Sequence, residues 1–207
     1  MREFSKLLTE KLQSNGAVIC LLYGFIRQWR DWGESLESVL HWYVESNKQV
    51  GGVKGSIVLA TAALELLSWV TLVDKGSVSK EDFENQNNKK YGSTSKKINR
   101  LIEEISINQN MQKIREIQTN LAEFERKFLG NKNNGLYAVT EERNSIIHAT
   151  PENRARLHNM PEATLIEAWE LGLWYLELIL LRLFDYQGFY VNRMLRMRLI
   201  GGLETVP

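Results

Sequence analysis

Cysteine is nearly missing from this chain. Cys20 is the single one in 207 residues, so no intrachain disulfide can form. No CxxC pair and no cluster of Cys with His occurs, which excludes a zinc site built on thiolates. Proline is scarce, at three residues, and this favours helices, whose interiors tolerate it poorly. Charge of one sign is not in excess: the formal net charge is +1, so any RNA site must be a local patch. A long unbroken apolar run is also missing. The longest, roughly residues 56–73, has Glu65 at its middle, which argues for a buried core helix and against a membrane span. The first residues, Met1-Arg2-Glu3-Phe4-Ser5-Lys6, are too polar to open a secretory signal. Cys20 lies in the apolar run Ala17 to Leu22, where a buried, inert thiol is expected. A reducing cytoplasm is the expected location, without membrane association.

What is present is ordinary for a soluble globular protein, with 43% hydrophobic and 25% charged residues. The length suits one well-packed core. Residues 3–30 read as helical or mixed, interrupted at Gly16 and Gly24. Asp31-Trp32-Gly33-Glu34-Ser35 is the place for a seam, dividing an N-terminal segment (1–32) from a main domain (33–200) and a tail (201–207). An amphipathic helix is expected over 36–48, a turn at Gly51, Gly52 and Gly55, and an almost wholly apolar helix over 56–73. Ser79 with Asp82 three residues on resembles a capping box opening a short helix over 79–84. Residues 85–97, rich in Asn, Lys and Ser, read as a mobile polar loop. Helical spacing resumes over 98–107 and 111–129, and 130–135 is a turn. A helix over 136–149 stops ahead of Pro151. Pro161 opens a long helix reaching about residue 184, followed by a break at Gly188 and a terminal helix over 190–198. The expected architecture is all-α, a helical bundle with two polar insertions.

One segment carries residues suited to chemistry. Asn144 and His148 are four apart and share a helix face. Arg143 lies about 140° around the axis from His148 on ideal spacing, within reach of its long side chain. An imidazole can take or return a proton near neutral pH, a guanidinium matches a crowded phosphate, and an amide can orient either. Taken alone the spacing leaves a plainer reading open. Arg143 is then a surface charge paired with Glu141 or Glu142, and His148 a partly buried residue at a helix end.

Arg143-Asn144-Ser145-Ile146-Ile147-His148 resembles the RNxxxH form of the motif of HEPN domains. The surroundings are similar to the Apea-like branch of that superfamily. The matching pieces, in order, are Leu40 to Asn47, Ala63 to Trp69, Trp174 to Glu177 and Tyr186 to Arg193, so the likeness covers about residues 35–198. The resemblance implies a helical domain that pairs into a homodimer, with two motifs in one cleft. It implies a metal-independent endoribonuclease of phage defence, stress or toxin–antitoxin systems, needing no cofactor. Arg143 and His148 would be the catalytic pair, with Asn144 in support. Apea-like proteins usually carry a large region ahead of this domain, whereas about 30 residues precede it here. Regulation would then come from another protein, such as an antitoxin, or be lacking.

Other residues also suit RNA contact or chemistry. Arg193 and Arg196 (with Asn192 and Arg198), and Lys96 and Lys97 within a basic stretch, are candidate RNA contacts. Each is also explained as a solvated face. Glu65 is expected to be satisfied locally, His41 to pack, and His158 to lie in a loop. The competing functional class is a non-catalytic HEPN module for dimerisation, nucleotide binding or partner binding.

Overall fold

The computed structural model describes residues 2–105, 107, 135–194 and 203–205, with backbone alone for 2–15 and 203–205. The surface helix expected over 111–129, the turn at 130–134, Arg196 and Arg198 lie outside the described residues. The helices are α1 (Arg2–Lys48), α2 (Gly52–Trp69), α3 (Lys80–Glu84), α4 (Thr94–Glu104), α5 (Gly135–Ile147), α6 (Pro151–Asn159) and α7 (Glu162–Leu183). A π-helical turn, Val70–Asp74, extends α2. Strands β1 (Phe189–Val191) and β2 (Leu203–Thr205) pair antiparallel, Tyr190 opposite Glu204. The chain is thus mainly helical, as composition and periodicity imply.

α2 is apolar around most of its circumference, and it takes the position such a helix must take, surrounded by others. It packs on α1, α4, α5 and α7. Ile57, Ala60, Ala63, Leu64 and Leu67 are fully buried there. Gly52–Asp74 is long and apolar enough to cross a membrane by length and composition, yet most of it is buried in this core. Gly172 of α7 permits a close three-helix approach. A Cβ at this position would stand 3.3 Å from Val139 Cγ1 of α5 and 3.7 Å from Ala60 Cβ of α2.

The break read at Asp31 to Ser35 is present, as a kink where two helical stretches of α1 meet: Trp32 leaves helical geometry (φ −153°, ψ 45°) while its indole Nε1 donates to Gln28 Oε1 at 2.8 Å. Other expectations differ from the fold. Gly55 lies inside α2, not in a turn. Cys20 is exposed, because the α1 face carrying Ala17, Gly24 and Gln28 is the one turned to the protein. His41 is exposed too. The polar loop ends early: Ser93 caps α4 by accepting from Lys96 N–H, which puts Lys96 and Lys97 on a helix. Ahead of it, Asn85 and Asn88 side chains accept from Asn87 and Lys90 N–H, and Tyr91 is buried. Tyr190 and Val191 form a strand rather than a helix, and part of the tail is its partner. α6 was not anticipated, and His158 lies on it. The cap at Ser79 forms as read, accepting from Asp82 N–H at 3.1 Å.

Candidate functional site

α5 ends where Pro151 approaches. His148 N–H still donates to Asn144 C=O at 2.9 Å, completing the last turn. Thr150 then caps α6 by accepting from Asn153 N–H at 3.2 Å, with Pro151 at the first helical position, where no N–H is needed. The carbonyls left over beyond α5 are taken up by this next helix. Asn153 Nδ2 donates to His148 C=O at 2.8 Å and Arg154 Nη1 to Ala149 C=O at 2.6 Å. His148 therefore stands exposed in a tight corner between two helices, beside Asn153 and Arg154.

Arg143 turns the other way, into the bundle. Its Nη2 donates to Glu65 Oε2 at 2.9 Å and its Nη1 to Asn144 Oδ1 at 3.2 Å. Glu65 in turn accepts from Thr94 Oγ1, in the first turn of α4, at 2.5 Å. Asn144 Nδ2 reaches Glu141 Oε1 at 3.5 Å. The single carboxylate of the apolar helix thus anchors the motif arginine, and α2, α4 and α5 meet at one polar node. Arg143 and Asn144 are joined; among the described residues, the His148 imidazole makes no hydrogen bond to either. The partner foreseen for Arg143 was Glu141 or Glu142, and it is Glu65. Glu65→Ala is expected to lower stability by about 1–2 kcal/mol, since it strands a half-buried guanidinium; Glu65→Gln, which still accepts, should lose less. Urea unfolding of the two variants measures this.

Glu142, next to Arg143, is completely buried and pairs with Arg156 of α6, Nη2 to Oε1, at 2.5 Å. Burial pushes its carboxyl up to about 7, against the opposing pull of Arg156. No helical spacing links the two residues of this pair. The Thr150-Pro151 signature of a helix start was the signal that α6 follows and can bring an arginine back.

The other candidate RNA contacts are scattered. Lys96 is exposed near the start of α4, while Lys97 Nζ lies over the Phe83 ring, 4.5 Å from its centroid. Arg193 is spoken for: Nε donates to Glu177 Oε2 at 3.0 Å, Nη2 bonds Glu177 Oε1, and Nη2 also reaches Asn47 Oδ1 at 2.9 Å. Tyr43 Oη donates to the same carboxylate at 2.9 Å. Burial, with Glu177 adding to it, pushes that phenol up to about 12, so it remains a donor. This second cluster ties α1, α7 and the segment after β1 together, and leaves Arg193 little freedom for phosphate. Among the described residues no group of three His, Cys, Asp or Glu is arranged to hold a metal ion.

The family described as the YopA C-terminal domain matches residues 29–203. The chain belongs to that family. It is 30% identical over 181 residues to the SPbeta prophage-derived uncharacterized protein YopA of Bacillus subtilis (strain 168). That alignment takes in 85% of this chain and 36% of the relative, so the chain spans about a third of the length of the curated relative it matches. No solved structure matches it. Both polar clusters, at Arg143 and at Arg193, and the buried Glu142–Arg156 pair fall inside the family match, whereas residues 2–28 of α1 precede it.

Proposed function

We propose that this YopA C-terminal domain is a HEPN-like, metal-independent endoribonuclease acting as a homodimer. The observation that carries the reading is that Arg143, anchored by Glu65 and Asn144, and the exposed His148 stand five residues apart at the end of α5. Glu65 and Asn144 each take one Nη hydrogen of Arg143, and each Nη keeps a second for an anion. In the proposed reaction the ribose 2′-OH attacks the neighbouring phosphorus and the 5′-oxygen leaves. His148 acts as base or acid, Arg143 takes the charge growing on the phosphate oxygens, and Asn144 holds the guanidinium or the substrate. The products are a 2′,3′-cyclic phosphate and a 5′-hydroxyl end. Arg154, which reaches the Ala149 carbonyl next to His148, is a basic residue for the RNA backbone, and Lys96 is exposed near the start of α4. A cytoplasmic setting fits an RNA substrate, and the prophage origin of the relative fits a part in phage–host conflict, where an antitoxin would cover the cleft.

Purified protein is expected to cleave single-stranded RNA in the presence of EDTA and to lose at least about 100-fold in rate on His148→Ala. Cleavage at the wild-type rate by a folded Arg143→Ala, His148→Ala double variant would reject the site. The internal Arg143–Glu65 pair favours one alternative, a non-catalytic module for dimerisation, nucleotide or partner binding in which the pair is purely structural. Unchanged biological activity in the same double variant would select it.

A further inference from the structure

Residues 85–97 carry four lysines, Lys89, Lys90, Lys96 and Lys97, and no acid. The fold gives this segment a fixed shape. Asn88 C=O accepts from Gly92 N–H at 2.9 Å, and its Oδ1 accepts from Lys90 N–H at 2.8 Å. Tyr91 is buried beneath the turn, its ring centroid 6.1 Å from that of Phe83. Gly92 has no space for a side chain, since a Cβ would stand 2.2 Å from the Gln86 carbonyl oxygen. Ser93 alone separates this turn from α4. Lys89, Lys90 and Lys96 are exposed, and Lys97 lies over the Phe83 ring. Two pairs of cations are thus held on one short, closed unit.

Basic groups on either side of this unit are paired, Lys80 with Glu84 at 3.9 Å and Arg100 with Glu103 at 2.9 Å. Among the described residues none of the four lysines pairs with a carboxylate, although Asp82 is near enough to accept from Asn88 Nδ2 at 3.1 Å. Lys96 and Lys97 also stand at the start of α4, whose first turn holds no acid and whose positive end repels them. Cations placed there weaken the helix and are compensated only by an anion from outside. We infer that residues 85–97 are a docking surface for the phosphate backbone of RNA, held without regard to sequence and outside the cleavage site. Lysine, Asn, Gln and Ser side chains and a helix N-terminus are the groups that hold phosphates. A membrane fits less well, because Tyr91, the one large apolar side chain of the segment, is buried and leaves nothing to enter the acyl layer. The closed turn also lowers the ordering cost of binding. Thr94 Oγ1 donates to Glu65, the acid that holds Arg143, so the surface adjoins the polar node of the proposed site. The choice of RNA as ligand rests on the nuclease reading, whereas docking itself uses neither Arg143 nor His148.

Fluorescence anisotropy of a single-stranded RNA of about 20 nucleotides tests it, with His148→Ala protein in EDTA over roughly 50–200 mM salt. The expected slope of log K against log salt is about −2 to −3, since each lysine contributes about −0.7 on a single strand. In that background Lys89→Gln, Lys90→Gln, Lys96→Gln should bring the slope to within about 1 of zero and weaken binding at least about 30-fold at the lowest salt. All three lysines are exposed, and losing Lys96 relieves the helix end, so the unfolding midpoint should hold. The same charge removed elsewhere, by Arg30→Gln, Lys48→Gln, Lys54→Gln, should cost less than about 3-fold. Intact docking by a protein that never cleaves RNA supports the surface and rejects the catalytic reading alone. Unchanged binding by the 89, 90 and 96 variant overturns the inference, as do equal losses in the two triple variants or no RNA binding at the lowest salt. Capture of phosphatidylserine vesicles without RNA binding overturns it too, by assigning the lysines to a membrane.

Discussion

Replacing Arg156 with alanine is expected to destabilise the fold by roughly 3–5 kcal/mol at about pH 8, and by markedly less at about pH 5. The reason lies in what the substitution leaves behind. Glu142 is fully buried, Arg156 is 12% exposed, and their contact joins α5 to α6. Glu142 Oε2 has no hydrogen-bond partner among the described residues, so Arg156 is the main compensation for a charge held out of water. In the wild type the folded chain already holds this proton more tightly than the unfolded chain, near 7 against an ordinary 4.5. The stability this group contributes is therefore complete below 4.5 and lost as pH rises through 7. Without Arg156 the carboxyl is pushed higher still, so the folded variant must keep it neutral, which is easy at low pH and unfavourable at high pH. Denaturant titrations at the two pH values give the comparison. Adding Glu142→Gln to Arg156→Ala should restore much of the loss at the higher pH. An Arg156→Ala loss that is the same at both pH values would show that Glu142 plays no part.

The second large effect is expected at Gly24. A Cβ there would stand 2.1 Å from the carbonyl oxygen of Phe184, which is backbone and cannot swing aside. Around that contact α1 and the end of α7 are joined by Gln28 Nε2 to Leu183 C=O at 3.0 Å and by the edge-on rings of Phe25 and Phe184, 5.6 Å apart. Gly24→Val should separate these surfaces and lower stability by roughly 3 kcal/mol, the upper range for overpacking. Gly16, on the same helix, has nothing within 4 Å of an added Cβ. Gly16→Ala should instead stabilise by up to about 1 kcal/mol, as alanine is the better helix former. Opposite signs at two glycines eight residues apart, read by thermal unfolding and by protease sensitivity of α1, separate docking from helix propensity. Equal effects would contradict the close approach.

The sequence showed local features well and long-range ones poorly. The cap at Ser79 and the stop ahead of Pro151 depend on neighbours a few residues away, so their residue types announce them. Likewise α2 declares its central place through having almost no polar side. Punctuation is harder to read: Trp32-Gly33 signals a change of direction, but whether a chain kinks or separates there depends on what it packs against. The role of Glu65 was foreseen only as local satisfaction, because its partner lies 78 residues on. The motif helix could be located from spacing, but not the direction of Arg143, which turns inward to an acid that no periodicity connects to it. Cys20 was misplaced for a related reason. An apolar run does not say which side of a helix is covered, and α1 has apolar residues on two.

The clasp between α1 and the end of α7 has a consequence for how the chain is made. Arg27 and Asp185 are 158 residues apart, Gln28 and Leu183 are 155 apart, and Asn47 waits for Arg193, 146 residues later. α1 leaves the ribosome well ahead of the residues that hold it and finds its place only once they have been made. Until then both of its apolar sides are open. Contacts of such long sequence separation slow folding and expose the nascent chain to aggregation. Chaperone demand during synthesis should therefore fall when α1 is made less sticky, even by changes that leave the finished protein's stability untouched.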